Sequence, residues 1–127
     1  MAPVAKLFLT LGSLLALAAV MIGAFGAHGL KNRLSPDLLA AYQTGVQYHF
    51  YHALGLVLVG LACIHFPASP PLRASGWLMV VGIGLFSGSL YALALTGQKW
   101  LGAVAPLGGT AFILAWAALA FGVWRAP

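Results

Sequence analysis

The chain has 127 residues, of which 62% are hydrophobic, and only seven side chains are charged, six of them lysine or arginine. A water-soluble domain carries about 25% charged residues, whereas this chain carries 6%, so its composition excludes an ordinary soluble domain. The net charge of +5 comes from basic residues that are scattered along the chain and form no patch, so the sequence does not indicate nucleic-acid binding.

The charged residues separate four charge-free segments, which are residues 7–30, 38–72, 74–98 and 100–124. A helix of about 20 apolar residues crosses a bilayer core of about 30 Å. Each segment is therefore long enough to cross once, and even the longest is too short to cross twice with a turn. We predict an all-α, polytopic membrane protein, a bundle of four transmembrane helices that forms one domain over residues 1–127. The predicted spans lie at about residues 4–27, 45–66, 72–96 and 104–124.

Span 1 follows Lys6, and its apolar run is longer than the 7–15 residues of a secretory signal, so we expect it to be retained as a membrane helix. Four spans place both ends of the chain on the same side. The basic residues divide three against three between the two sides, so the positive-inside rule does not decide the orientation. Because Lys6 adjoins the first helix, which usually dominates orientation, we expect both termini in the cytoplasm.

Residues 28–44 join the first two spans and include the most polar part of the chain. Ser35 followed by Pro36 is typical of a helix start, because serine caps well and proline fits the first helical position. A helix from there to Phe66 would be about 46 Å long, which exceeds the hydrocarbon thickness. We therefore predict that its first turns leave the hydrocarbon, or bend near Gly45, and form an interfacial segment.

Span 2 contains the densest polar stretch of the chain, residues 42–52, with the sequence YQTGVQYHFYH. One interpretation is a polar pocket or proton relay that opens from one membrane surface, because histidine titrates near neutral pH and polar groups inside membranes often mark a pathway. The other is a belt of aromatic side chains at the headgroups. The end of span 1 lies on the same side if the two spans are antiparallel. The candidate polar cluster is His28, Gln47, Tyr48, His49 and His52.

Span 3 contains Gly84-x-x-x-Gly88, the small-x-x-x-small pattern that lets membrane helices approach closely. Ser87 lies beside this pattern, and we expect Ser87 and Ser89 to bond back to carbonyls of their own helix. Glycine-rich faces of this kind favour helix packing and homo-oligomers.

Span 4 begins with a cluster of proline and glycine that has two interpretations. It is either a broken helix that lines a transport site or a simple helix start. A helix from Pro106 to Trp124 is already about 28 Å long and nearly crosses the core, which favours the helix start. The residues of spans 3 and 4 to which we assign a helix-packing role are Gly84, Ser87, Gly88, Pro106, Gly108 and Gly109.

No Asp or Glu lies inside a predicted span, which excludes transport coupled to an intramembrane carboxylate. Cys63 is the single cysteine, and its apolar surroundings favour a packing role. The spacing of Cys and His does not match a metal site, and no arrangement of Ser, His and Asp supports a hydrolase. We expect no enzymatic activity, no cofactor and no metal ion.

Four stretches of the chain are similar to the motif regions of the domain of unknown function 423, a family of small membrane proteins. They are GAFGAHGL (23–30), QYHFYHALGL (47–56), LFSGSLYALALTG (85–97) and PLGGTAFILAW (106–116). The resemblance implies a four-helix membrane protein, with a bacterial inner membrane as the expected location, and implies no activity. The residues that carry it are His28, Tyr48, His52, Ser87, Gly88, Ser89, Tyr91, Pro106, Gly108 and Gly109.

Two functional hypotheses follow for a small integral membrane protein of this composition. The first is a module that interacts with lipids or proteins, with membrane lipids as partners and a homo-oligomer formed through the glycine-rich helix faces. The second is a small channel or transporter with a pathway lined by His, Tyr and Gln.

Overall fold

The computed structural model describes all of residues 1–127, and every regular element in it is helical. Helix α1 covers Pro3–Phe25 and continues into a π-helical turn, Gly26–Leu30. The remaining elements are α2 (Pro36–His65), α3 (Pro70–Gly82), a second π-helical turn (Ile83–Ser87), α4 (Gly88–Thr96), a 3₁₀ turn (Lys99–Ala103) and α5 (Ala105–Arg125).

Residues that favour helix ends lie at several of the helix boundaries. The Ser35 hydroxyl accepts a hydrogen bond from the Leu38 N–H at 3.3 Å, which confirms the predicted cap of α2. The Ser69 hydroxyl accepts in the same way from the Leu72 N–H at the start of α3. Gly97, with φ of 71°, follows α4, and this left-handed conformation is the usual way for glycine to end a helix.

Four continuous helical segments are long and apolar enough to cross a membrane, and they are Pro3–Leu30, Pro36–His65, Pro70–Thr96 and Lys99–Arg125. Large apolar side chains on all four are exposed, Ile113 at 70% and Met21 at 64% among them. Large exposed apolar surfaces mark contact with a membrane or with another protein, and the four helices have the length and composition of membrane spans, so the all-α, four-span fold class is confirmed.

Residues 28–44, for which we predict an interfacial segment, do not form one separate element. The first of them belong to the π-helical turn that ends span 1, and the last belong to α2, which runs without interruption from Pro36 to His65. Tyr42 and Gly45 are buried, since Tyr42 packs against α1 and Gly45 against Tyr91 of α4. The alternative of a bend near Gly45 is therefore wrong, whereas the position of the first turns of α2 relative to the hydrocarbon stays a prediction.

Helix α2 is the centre of the bundle, with α1 along one side of it and the segment from α3 to α4 along another. Helix α5 packs mainly on α3 and on the second π-helical turn. The close approach of α1 and α2 depends on glycine: a Cβ on Gly12 would lie 3.0 Å from the Ala53 carbonyl oxygen, and one on Gly60 would lie 3.0 Å from the Leu9 nitrogen. Small residues bring membrane helices together in this way.

Three groups of apolar side chains fill the bundle from one end to the other. The largest lies towards the chain termini and contains Phe8, Leu56 and Met79 together with Cys63, all fully buried, which confirms the packing role of the cysteine. The others are centred on Phe112 in the middle of the bundle and on Tyr42 at the opposite end, with partners Ala53, Ile83, Leu30 and Ala94.

Hydroxyl groups join the helices within this apolar interior. Ser75 donates to the Ala115 carbonyl oxygen at 2.6 Å and so links α3 to α5. Ser87 donates to the Gly45 carbonyl oxygen of α2 at 2.7 Å, so the expectation that Ser87 bonds back to its own helix is wrong. The same expectation holds for Ser89, which donates to the Phe86 carbonyl oxygen at 2.9 Å.

Candidate functional site

The structure divides the five residues of the expected polar cluster into two groups. His49 and His52 are buried, with 4% and 5% of their surface exposed. His28, Gln47 and Tyr48 are exposed. The two buried rings face different helices, His49 towards Tyr91 of α4 and His52 towards Phe112 of α5. The five side chains therefore do not form one cluster and line no common path.

His49 faces α4. The Tyr91 hydroxyl lies 2.8 Å from its Nδ1, and the two rings are 6.0 Å apart between centroids. Nε2 of His49 is fully buried and makes no hydrogen bond. The pair of His49 and Tyr91 is therefore an interior polar contact between helices, enclosed by the bundle.

His52 faces α5 instead. Its ring stacks on that of Phe112, with 3.4 Å between the ring centroids and 10° between the planes. The ring of Trp116, one turn further along α5, is inclined by 62° to the imidazole, with 5.9 Å between the ring centroids. Nδ1 lies 2.7 Å from the carbonyl oxygen of Tyr48 in the preceding turn. Because α2 is helical throughout, this contact fixes the ring plane relative to the backbone.

Around His52 the outer surface of the bundle is indented by a groove of about 590 Å³. It lies between α2, the second π-helical turn and α5, and it opens sideways towards the lipid-facing surface, since Ile113 at its rim is 70% exposed. Most of its walls are aromatic. The residues that line it are Tyr48, His52, Phe86, Pro106, Gly109, Thr110, Phe112, Ile113 and Trp116.

The second π-helical turn places Phe86 in this groove. The Phe86 ring lies 4.8 Å from that of Tyr48 and 5.6 Å from that of Phe112. Its backbone packs directly on Gly108 of α5, where a Cβ would collide with the Phe86 nitrogen. Turns of this type are frequent at functional sites in helices, and here the turn brings α5 and Phe86 together.

The structure separates the six residues expected to pack helices. Ser87 and Gly108 make close interhelical contacts, and Pro106 lies in the first turn of α5, as the simple helix start predicts. Gly109 has only an ordinary contact, 3.8 Å from its Cβ position to Phe86. Around Gly84 and Gly88 a Cβ would meet nothing within 4 Å, so the expected packing of these two glycines does not occur within the chain.

Most residues of the groove could not be predicted from the sequence. Phe86, Phe112 and Trp116 do not stand out in it, because aromatic residues are common in any membrane helix. The signal that was available is weak: both phenylalanines fall within the stretches that resemble a known family. No three of the His, Cys, Asp and Glu side chains come together where they could hold a metal ion.

A second depression, of about 540 Å³, lies at the end of the bundle that holds the chain termini. It is formed by the loop between α2 and α3 and by the last turn of α5, and its polar side chains His65 and Arg125 are exposed. Because no buried polar group points into it, the groove at His52 is the stronger candidate site.

Comparison with known proteins bears on this assignment. Residues 22–109 match the family described as "Protein of unknown function (DUF423)". The chain belongs to this family. It is 50% identical over 111 residues to the UPF0382 membrane protein YwdK of Bacillus subtilis, covering 87% of this chain and 90% of that protein. No solved structure matches the chain.

The chain is also similar to membrane proteins of other bacteria. The chain is 45% identical over 120 residues to the UPF0382 membrane protein SSP2132 of Staphylococcus saprophyticus, covering 94% of this chain and 98% of that protein. It is 38% identical over 118 residues to a UPF0382 membrane protein of Haemophilus influenzae, covering 93% and 94%. This DUF423 protein is thus a small membrane protein similar to membrane proteins of bacteria. The matched range includes His52, Phe86 and Gly108 of the site and ends before Phe112.

Proposed function

We propose that this DUF423 protein is a lipid-binding membrane module that takes a lipid from the bilayer into the groove at His52. The observation that carries the proposal is an aromatic groove of about 590 Å³ that opens towards lipid and has one buried imidazole in its wall. Mostly apolar cavities of 300–1,000 Å³ with few polar groups are typical of small-molecule sites.

The same geometry gives less support to a channel or transporter. A conducting path needs polar groups along its length, but Gln47 and Tyr48 are exposed on the outside of the bundle. His49 is enclosed near Tyr91, whereas His52 faces a different side of α2. Close interhelical packing at glycine fills the space between α1 and α2, so we place the lipid at the surface groove.

Native mass spectrometry of the full chain, released from mild detergent after extraction from membranes, tests the proposal. We expect one retained lipid per chain. In Gly109→Leu the new side chain projects into the groove, since a Cβ there has only an ordinary contact at 3.8 Å, and retention should fall at least fivefold. Gly84→Leu is the matched control, because Gly84 is exposed, lies outside the groove and has open space around it. Equal retention by both variants contradicts the proposal.

We further propose that the protein resides in the bacterial inner membrane with both termini in the cytoplasm. The support is the position of Lys6 next to the first span and the even number of candidate spans. A green fluorescent protein fused after Pro127 should fluoresce, because this reporter folds in the cytoplasm and not when exported unfolded. Alkaline phosphatase at the same position should be inactive, and an active phosphatase fusion contradicts the orientation.

A further inference from the structure

We infer that the groove at His52 selects an uncharged lipid alcohol of the diacylglycerol type over the charged phospholipids that surround it. This inference rests on the proposed lipid-binding function and narrows it to one class of lipid. It depends on how deep the imidazole lies, on the absence of charge in the groove and on the hydrogen-bonding groups that the groove leaves without a partner.

His52 lies inside the hydrocarbon wherever α2 sits along the membrane normal. Helix α2 covers Pro36–His65 and is about 45 Å long, which exceeds a hydrocarbon core of about 30 Å. His52 is about 24 Å from the first residue of this helix and about 20 Å from its last. Whichever part of α2 spans the core, His52 is at least about 6 Å inside it, measured along the helix. A polar group that meets the imidazole must therefore leave the headgroup layer.

The groove offers no charge to pair with a phosphate. Its nine lining residues include no Lys, Arg, Asp or Glu, and all nine belong to the charge-free segments 38–72, 74–98 and 100–124. In a phospholipid the phosphate lies only a few bonds from the ester groups, so an ester that reached His52 would draw the phosphate into hydrocarbon. An unpaired charge is costly there, whereas an uncharged lipid alcohol can move below the headgroups.

The hydrogen bond at Nδ1 makes the other nitrogen of His52 an acceptor. A carbonyl oxygen only accepts hydrogen bonds, so Nδ1, 2.7 Å from the Tyr48 carbonyl oxygen, must donate. No acidic side chain lies in any span to pair with a charged ring, so the imidazole is neutral and Nε2 offers a lone pair. Nε2 has no partner within the chain, and His52 is only 5% exposed. Because a buried acceptor without a donor is unfavourable, a ligand hydroxyl at Nε2 would stabilise the complex.

Two donors in the groove complement this acceptor. Tyr48 and Trp116 line it, and neither the Tyr48 hydroxyl nor the Trp116 indole N–H has a partner within the chain. Both groups can donate to the ester oxygens of a lipid. The groove opens to lipid at Ile113, which is 70% exposed, so the acyl chains can stay in the bilayer. One acceptor and two donors thus match a lipid with a hydroxyl next to ester groups, as in diacylglycerol.

The first test compares two lipids that differ only by a phosphate. Phosphatidylcholine nanodiscs that hold the purified full chain receive equal small amounts of dioleoylglycerol and dioleoyl phosphatidic acid. Native mass spectrometry of the released chain then shows which of the two lipids stays bound. We expect the complex with dioleoylglycerol to be at least tenfold more abundant, because a charge is costly in hydrocarbon. Equal abundance of the two complexes overturns the inference.

The second test concerns the hydroxyl and its acceptor. The methyl ether of dioleoylglycerol keeps the chains and the zero charge but has no donor, so the wild-type protein should retain it about fivefold less than the alcohol, the value of one hydrogen bond. In His52→Phe, which keeps an aromatic ring on Phe112, retention of the alcohol should fall to that of the ether. His65→Phe is the control, since His65 is on the same helix, exposed and outside the groove.

Two results of this second test overturn the inference. One is equal retention of alcohol and ether by the wild-type protein, a comparison that does not depend on the folding of any variant. The other is a preference for the alcohol that persists in His52→Phe while circular dichroism shows the variant folded. If phosphatidylcholine is retained and Gly109→Leu abolishes its retention, but dioleoylglycerol does not bind, this inference fails and the proposed function stands.

Discussion

Two neighbouring glycines at the start of α5 have different surroundings and should respond differently to the same substitution. A Cβ on Gly108 would collide with the backbone of Phe86, whereas one on Gly109 would lie 3.8 Å from the Phe86 ring. Gly108→Ala should lower the free energy of unfolding by about 1–3 kcal/mol, the usual cost of overpacking. Gly109→Ala should be neutral or slightly stabilising, because alanine favours helix over glycine.

Thermal unfolding in detergent micelles, followed by circular dichroism, measures this difference. Equal melting temperatures for the two variants would show that α5 does not approach the Phe86 backbone as closely as the structure has it. The two positions also differ in their relation to the groove, because Gly109 lines it and Gly108 does not.

Ser87 and Ser89 form a second matched pair, since both are buried serines whose hydroxyls donate to different carbonyl oxygens. The acceptor of Ser87 is on α2 and that of Ser89 is in its own segment. Interhelical hydrogen bonds in membranes contribute about 0.6–2 kcal/mol, so Ser87→Ala should destabilise by about 1 kcal/mol and Ser89→Ala by much less. Unfolding in a micelle with increasing sodium dodecyl sulfate reports both values, and a larger loss for Ser89→Ala would contradict the assignment.

At the scale of single residues, the sequence shows which side chains are chemically unusual for a membrane helix, but it does not show which side chains they contact. His52 stands out as a polar residue in an apolar helix, but its partner Phe112 is 60 positions away and looks like any other membrane phenylalanine. Gly84 and Gly88 show the opposite failure. Their spacing matches a packing pattern, yet Gly84 lies within the π-helical turn and Gly88 follows it directly, and neither meets another helix of the chain.

At the scale of elements, the π-helical turn Ile83–Ser87 accommodates one extra residue between α3 and α4. A π turn holds one residue more than an α turn, so deletion of Leu85 should convert it to α-helix and leave α4 in its present phase relative to α3. Ser87 would then keep its acceptor on α2, and Tyr91 would stay beside His49. We expect unchanged helix content and a loss of less than about 2 kcal/mol of stability, below the size typical of disrupted packing.

Leu85→Ala is the control for this deletion, because Leu85 is 37% exposed and its truncation should cost little. Circular dichroism gives the helix content, and thermal unfolding gives the stability of both variants. A deletion variant much less stable than Leu85→Ala would contradict this and mean that the packing of α4 needs the π turn itself.

The helix boundaries could be predicted largely from the sequence, because capping serines and prolines act locally. Ser35 and Pro36 mark the start of α2, and Pro106 marks the start of α5. The absence of a bend near Gly45 could not, since the length of one helix does not show which other helices pack against it. Whether α2 bends there depends on the contacts of Tyr42 and Gly45 with α1 and α4, and these contacts are a property of the assembled bundle.

At the scale of the whole molecule, the groove exists only because three elements distant in sequence converge. Helix α2 supplies His52, the second π-helical turn supplies Phe86, and α5 supplies Phe112. The charge pattern predicts the number of spans, since charges mark where helices leave the membrane. It carries no information on which helices are neighbours, so the fold class could be predicted from the sequence while the site could not.

The four-span arrangement predicts which connections share a side of the membrane. The connections at Asn32 and Gln98 should lie on one side, and Ala68 and the chain end at Pro127 on the other. Four variants that each add one cysteine at one of these positions, treated with a membrane-impermeant maleimide, test this. Wild-type Cys63 is fully buried and should not react, so the wild-type chain serves as the unlabelled control.

In intact spheroplasts we expect labelling of the Asn32→Cys and Gln98→Cys variants only, and in inside-out vesicles labelling of the Ala68→Cys and Pro127→Cys variants only. The opposite pattern would retain the four spans and reverse the proposed orientation. Labelling of Asn32→Cys and Gln98→Cys from different sides would contradict the arrangement of the spans itself.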